Sequence, residues 1–117
     1  MAKKILVIDD EKNVSDYIRS ILEDNGYEVW TACDGHAAET AVKEIMPDLI
    51  TLDLEMPKEW GPMFYRNLRK IEELRETPVI VISGLGDPDH AVKGAVAVLR
   101  KPFDKDRLIS IVKEQIG

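Results

Sequence analysis

Five times along this chain, a short apolar run is followed by a segment with helical spacing. Three of the runs are Ile5-Leu6-Val7-Ile8, Leu49-Ile50-Thr51-Leu52 and Val79-Ile80-Val81-Ile82. A strand with one wet face alternates apolar and polar residues. A continuous aliphatic run instead marks a strand covered on both faces, as in a parallel sheet between helical layers. Such strands alternating with helices form repeated β-α units. The pattern predicts strands near 4–8, 28–32, 48–52, 78–82 and 96–99, and helices near 12–25, 36–45, 62–74, 88–93 and 104–116.

The helices carry their own signals. Val14, Tyr17, Ile18, Ile21 and Leu22 share one face of the first, and Gly26 follows as a stop. Ala38, Ala41, Val42 and Ile45 repeat the period before Pro47, which cannot continue a helix. Pro62 suits the first helical position of the third. Asp87-Pro88 reads as cap and start of the fourth, and Leu108, Ile109, Val112 and Ile116 give the last its buried stripe. The implied architecture is a three-layer α/β/α sandwich around a five-stranded parallel sheet in the flavodoxin-like order 2-1-3-4-5, with the first and third strands adjacent.

A length of 117 residues suits one domain, residues 1–117. No apolar run approaches the roughly 20 residues that cross a bilayer. The start, Met1-Ala2-Lys3-Lys4, leads into an apolar stretch too short for a signal peptide. These features predict a cytoplasmic protein with no membrane contact. The single cysteine, Cys33, forbids an internal disulfide and reads as a small buried or half-buried residue. A formal charge of −6 argues against direct nucleic-acid binding by this domain.

Four of the predicted strands end on polar residues: Asp9-Asp10, Asp53, Ser83 and Lys101. Ligand sites in open α/β sheets lie at the carboxyl ends of the strands. Two carboxylates about 4 Å apart repel by roughly 4 kcal/mol at an effective dielectric near 20, so three of them require a counter-charge. Carboxylate oxygens suit Mg2+, which works beside phosphate oxygens. Aspartate is also a competent nucleophile toward phosphoryl groups. Asp53, on a central strand, is therefore the expected acceptor. Asp9 and Asp10 are expected to hold Mg2+ with Asp53, the backbone carbonyl of Glu55 completing the shell. Lys101 would place a point charge on a phosphoryl oxygen, with Ser83 Oγ and the Gly84 N–H donating to others. Taken singly, each of these residues reads as a cap, turn, loop or surface residue. Their joint placement at strand ends carries the functional reading.

The chain resembles a receiver domain of a two-component response regulator. The resemblance rests on Ile5-Leu6-Val7-Ile8-Asp9-Asp10-Glu11, Asn25-Gly26-Tyr27-Glu28-Val29, Pro47-Asp48-Leu49-Ile50, Asp53-Leu54-Glu55-Met56-Pro57, Gly61, Thr77-Pro78-Val79-Ile80, Ser83-Gly84 and Lys101-Pro102-Phe103. It implies transfer of a phosphoryl group, with Mg2+, from a sensor histidine kinase or histidine phosphotransfer protein to Asp53. Slow self-hydrolysis follows, so the domain is a phosphoacceptor rather than a turnover enzyme. It also implies a cis Lys101-Pro102 peptide and movement of Ser83 toward the phosphoryl group, which alters binding of a downstream effector protein or domain. Three departures stand out. Trp60 and Glu59 lie in the loop after Asp53, and Glu55 and Leu85 occupy positions that, the resemblance implies, tune the lifetime of the phosphoryl group. Val98 occupies a position commonly aromatic in the family, and the stretch from Ser83 to Lys101 is about one turn short, which predicts a shortened fourth helix. The alternatives are a pseudo-receiver scaffold and a Mg2+-dependent phosphohydrolase with an Asp nucleophile, for which Glu55 has the spacing of a second acid.

Overall fold

The aliphatic runs form β1 (Lys4–Ile8), β2 (Glu28–Ala32), β3 (Leu49–Asp53), β4 (Val79–Ser83) and β5 (Ala97–Arg100). They are connected by α1 (Lys12–Asp24), α2 (Gly35–Ile45) and α3 (Trp60–Leu68), and α4 (Lys105–Ile116) follows β5. This is a computed structural model, and it describes residues 2–55, 60–84 and 94–117. All neighbouring strands pair in parallel, in the order β2-β1-β3-β4-β5. The expected architecture and strand order are thus observed. The expected helix near 88–93, and with it the shortening of the fourth helix, lies outside the described residues.

Each central strand is buried on both faces, which explains its unbroken hydrophobicity. Leu6, Ile8, Ile50 and Leu52 pack toward Val42 of α2 and Phe64 and Leu68 of α3. Ile5, Val7, Leu49 and Ile80 face the other way, toward Ile18 and Leu22 of α1 and Leu108 and Val112 of α4. Complete burial of one such side chain is worth about 1.5–3 kcal/mol. Local chemistry sets the helix ends. The Asp34 side chain accepts the Ala37 N–H at 2.7 Å, and Asp104 accepts the Asp106 N–H at 2.9 Å. Gly26 follows α1 at φ +91°, a conformation that L side chains rarely adopt.

Four details differ from the sequence-based expectation. Strands β3, β4 and β5 each end one residue later, so Asp53 and Ser83 belong to the ladder, paired with Ile82 and Arg100. The third helix stops at Leu68, and Glu72–Leu74 form a separate 3-10 turn. There the Arg69 guanidinium donates to the carbonyls of Arg75 at 2.6 Å and Thr77 at 2.9 Å, which draws the chain away from the helix axis and into β4. Pro62 accordingly sits inside the first turn rather than at its first position; it is tolerated because N–H groups there have no intrahelical partner. Cys33 is exposed, because it lies just past β2, the edge strand of the sheet.

Candidate functional site

Parallel register brings distant residues together. Ile8 pairs with Leu52, so the next residues, Asp9 and Asp53, leave adjacent strands side by side. Ser83 pairs with Arg100, so Lys101 emerges beside the end of β4. The Lys101 N–H donates to the Ser83 carbonyl at 3.0 Å, and the Asp9 N–H donates to Ala32 at 3.1 Å, fixing both chains as they leave the sheet. The Lys101-Pro102 peptide is cis.

The side chains converge as expected. Lys101 Nζ lies 3.2 Å from Asp9 Oδ2 and 3.5 Å from Asp53 Oδ1. Oxygens of Asp9, Asp10 and Asp53 all lie within 4.8 Å of one another. Asp9, Asp53 and Ser83 are buried, whereas Asp10 is exposed at the mouth. Two backbone amides orient the buried acids: Glu11 N–H donates to Asp9 Oδ1 and Glu55 N–H to Asp53 Oδ1, each at 2.9 Å. Asp53 Oδ2 is buried without a hydrogen-bond partner among the described residues.

That orphaned oxygen fits a further ligand. A buried acceptor without a partner costs about 1–3 kcal/mol, more if it is charged. Burial, with the nearby Asp9 and Glu55 carboxylates, pushes the Asp53 carboxyl up from 3.8 to about 6, against the opposing Glu55 N–H and Lys101 ammonium. Burial alone would push the Lys101 ammonium down, but Asp53 and Asp9 outweigh it and the net shift is upward. One ammonium, paired with Asp9 and Asp53, faces three clustered carboxylates, which leaves these residues short of positive charge. The donor set contains only hard oxygens, which fits a hard divalent cation such as Mg2+.

Of the residues expected in the site, Asp9, Asp10, Asp53 and Lys101 are brought together directly. Ser83 and Gly84 lie at the neighbouring strand end. The sequence reading used the backbone carbonyl of Glu55 for the cation and its side chain as a second acid, without placing that side chain beside Gly84. A Cβ placed on Gly84 would fall 2.6 Å from Glu55 Oε1, so this carboxylate leans over the end of β4. An acid two residues beyond Asp53, in the turn above the pocket, was the available signal. Val98 is half-buried against the core cluster that contains Tyr65.

Comparison with known proteins agrees with this geometry. The response regulator receiver domain family matches residues 5–113. The chain is 35% identical over 114 residues to the DNA-binding dual master transcriptional regulator RpaA of Synechocystis sp., covering 94% of this chain and 47% of that protein. It is 32% identical over 117 residues to the phosphate regulon transcriptional regulatory protein PhoB of Escherichia coli, covering 97% and 51%. The chain thus spans about half the length of these two regulators. The chemotaxis protein CheY4 of Vibrio cholerae superposes with a TM-score of 0.91 at 28% identity, covering 99% of this chain and 100% of that one.

Proposed function

This chain belongs to the family of response regulator receiver domains, and from that premise we propose that Asp53 accepts a phosphoryl group from a phosphohistidine on a sensor kinase or phosphotransfer protein. The observation that carries the reading is Asp53 Oδ2: buried, without a hydrogen-bond partner among the described residues, and on a carboxylate 3.5 Å from the Lys101 ammonium. Asp9, Asp10, Asp53 and the Glu55 carbonyl would hold Mg2+, which when bound supplies the positive charge that draws phosphoryl oxygens to the site.

The chain's own residues do the positioning. Lys101 holds an ammonium where a phosphoryl oxygen would arrive, and Ser83 Oγ and the Gly84 N–H would donate to the others. The Glu55 N–H fixes Asp53 Oδ1, which leaves Oδ2 as the attacking atom. Transfer of this kind depends on alignment and charge stabilisation, which a preorganised pocket provides. The acyl phosphate then hydrolyses slowly, and the domain acts as a switch rather than a turnover enzyme. Phosphorylation adds about −1.5 to −2 charges beside Ser83, drawing its hydroxyl and the chain after β4 toward the site.

We place this switch in the cytoplasm, with residues 1–117 acting as one receiver unit upstream of an effector protein or domain. The charge of −6 favours a protein effector over direct contact of these residues with nucleic acid. No helix among the described residues is long and apolar enough to cross a membrane. The convergence of the acids with Lys101 weakens the pseudo-receiver alternative. Incubation with acetyl phosphate and Mg2+, followed by intact mass measurement, tests the proposal. The parent gains one phosphoryl group and Asp53→Ala gains none; equal modification of both would refute Asp53 as acceptor.

A further inference from the structure

We propose that the cleft between α2 and α3 is a second ligand site, built to take a small, neutral, planar heteroaromatic molecule with one N–H donor. The inference does not rest on Asp53 as acceptor. Glu39, Val42 and Lys43 stand at i, i+3 and i+4 on α2, so they share one face. Phe64, Asn67 and Leu68 repeat that spacing on α3. The two faces line a cavity of about 200 Å³. Its floor is part of the core: Val42, Phe64 and Leu68 are each 1% exposed. Its rim is polar. Asn67 Nδ2 donates to Glu39 Oε1 at 3.0 Å, a hydrogen bond that bridges the helices and orients the carboxylate. Lys43 lies one turn further along α2 and is exposed.

An apolar lining with a few fixed polar groups is the usual build of a small-molecule site. Three features choose the occupant. Volume sets its size: an apolar cavity of about 150 Å³ holds one benzene ring, so this one takes a slightly larger planar body, such as a fused pair of rings. Charge sets its ionic state. Glu39 and Lys43 carry opposite charges one turn apart, so an ion of either sign is attracted by one and repelled by the other. The fixed acceptor sets its polarity. The Glu39 carboxylate, already held by Asn67, accepts a ring N–H with little further loss of side-chain freedom. None of these residues belongs to the sheet edge where Asp9, Asp53 and Lys101 converge, so the site is distinct from the phosphoacceptor pocket. The other apolar cleft, beside Tyr17 and Phe103, has no carboxylate in its lining among the described residues and cannot reward the N–H in the same way.

Indole is the probe, titrated into the isotope-labelled full chain, without Mg2+ or phosphoryl donor, while amide resonances are recorded. Saturable one-to-one shifts are expected at residues 39–43 and 64–71, which border the cavity. N-Methylindole keeps the rings and loses the donor, so it should bind the parent about tenfold more weakly than indole does. In Glu39→Leu, which removes the acceptor, the two probes should bind alike. Ile71→Trp fills the cavity from its half-buried rim and should abolish the shifts while the rest of the amide spectrum stays in place. The affinity ratio in the parent decides even if a variant fails to fold. Indoleacetate and tryptamine carry the same rings with a charged arm, and tighter binding of either than of indole would overturn the neutral class. The site itself would be overturned by the absence of saturable shifts with indole, by equal affinity of the parent for indole and N-methylindole, or by shifts centred on Tyr17 and Phe103.

Discussion

Asparagine in place of Asp53 is expected to stabilise the metal-free protein at neutral pH by about 2–3 kcal/mol. Removal of a buried, hydrogen-bonded side chain usually has the opposite sign. Here the carboxyl is pushed up to about 6 from 3.8, foremost by burial. The folded chain therefore holds this proton to a higher pH than the unfolded chain does. Between these two values the folded state binds more protons, so stability falls as pH rises through the window. Above it the full penalty remains. Asparagine keeps an oxygen for the Glu55 N–H and replaces the orphaned Oδ2 with a donor facing Asp9 and Asp10. Urea denaturation in the presence of a chelator should show the gain at pH 7 and its disappearance near pH 4. Excess Mg2+ should shrink the gain, because the parent then recovers the penalty as binding energy. A variant less stable than the parent at pH 7 would show that Asp53 is adequately compensated without a cation.

Methionine in place of Lys101 is expected to act in the opposite direction, destabilising the metal-free protein by about 3 kcal/mol. The ammonium is shared between two carboxylates that are each only 1% exposed, at 3.2 and 3.5 Å. Methionine preserves much of the aliphatic stem and leaves both charges without their cation. A divalent ion can replace the missing charge, so Mg2+ should bind Lys101→Met more tightly than it binds the parent. Mg2+ should also restore most of the lost stability. Calorimetric titration and urea denaturation check both parts. Unchanged stability and unchanged Mg2+ affinity would mean that Lys101 is not the counter-charge of this pocket.

Much of the fold was legible because burial on both faces leaves a continuous aliphatic record, as in Val79-Ile80-Val81-Ile82. What hydrophobicity could not show was where pairing stops. Asp53 and Ser83 continue the ladder although they are polar, since backbone groups pair regardless of the side chain. The end of α3 was hidden for a similar reason. Ile71 and Leu74 continue an apolar pattern, while the competing hydrogen bonds come from the distal Arg69 guanidinium. Exposure of Cys33 depends on its strand lying at the sheet edge, a property of strand order rather than of the residue. The candidate site was legible because strand ends in a parallel sheet share one edge, which brings Lys101 to Asp9 across 92 positions of sequence. The seat of the Glu55 side chain beside Gly84 was not, because it depends on a turn and on the space that Gly84 leaves open.

Convergence of Asp9, Asp10 and Asp53 on one divalent cation is tested most directly by adding substoichiometric Mn2+ to the isotope-labelled protein and recording amide resonances. Paramagnetic broadening should strike the amides of Asp9, Asp10, Glu11, Asp53, Leu54 and Glu55 together, and Asp10→Asn should weaken it at all of them. Broadening confined to one of these segments, or spread over exposed acids such as Glu72 and Glu73, would contradict a shared site.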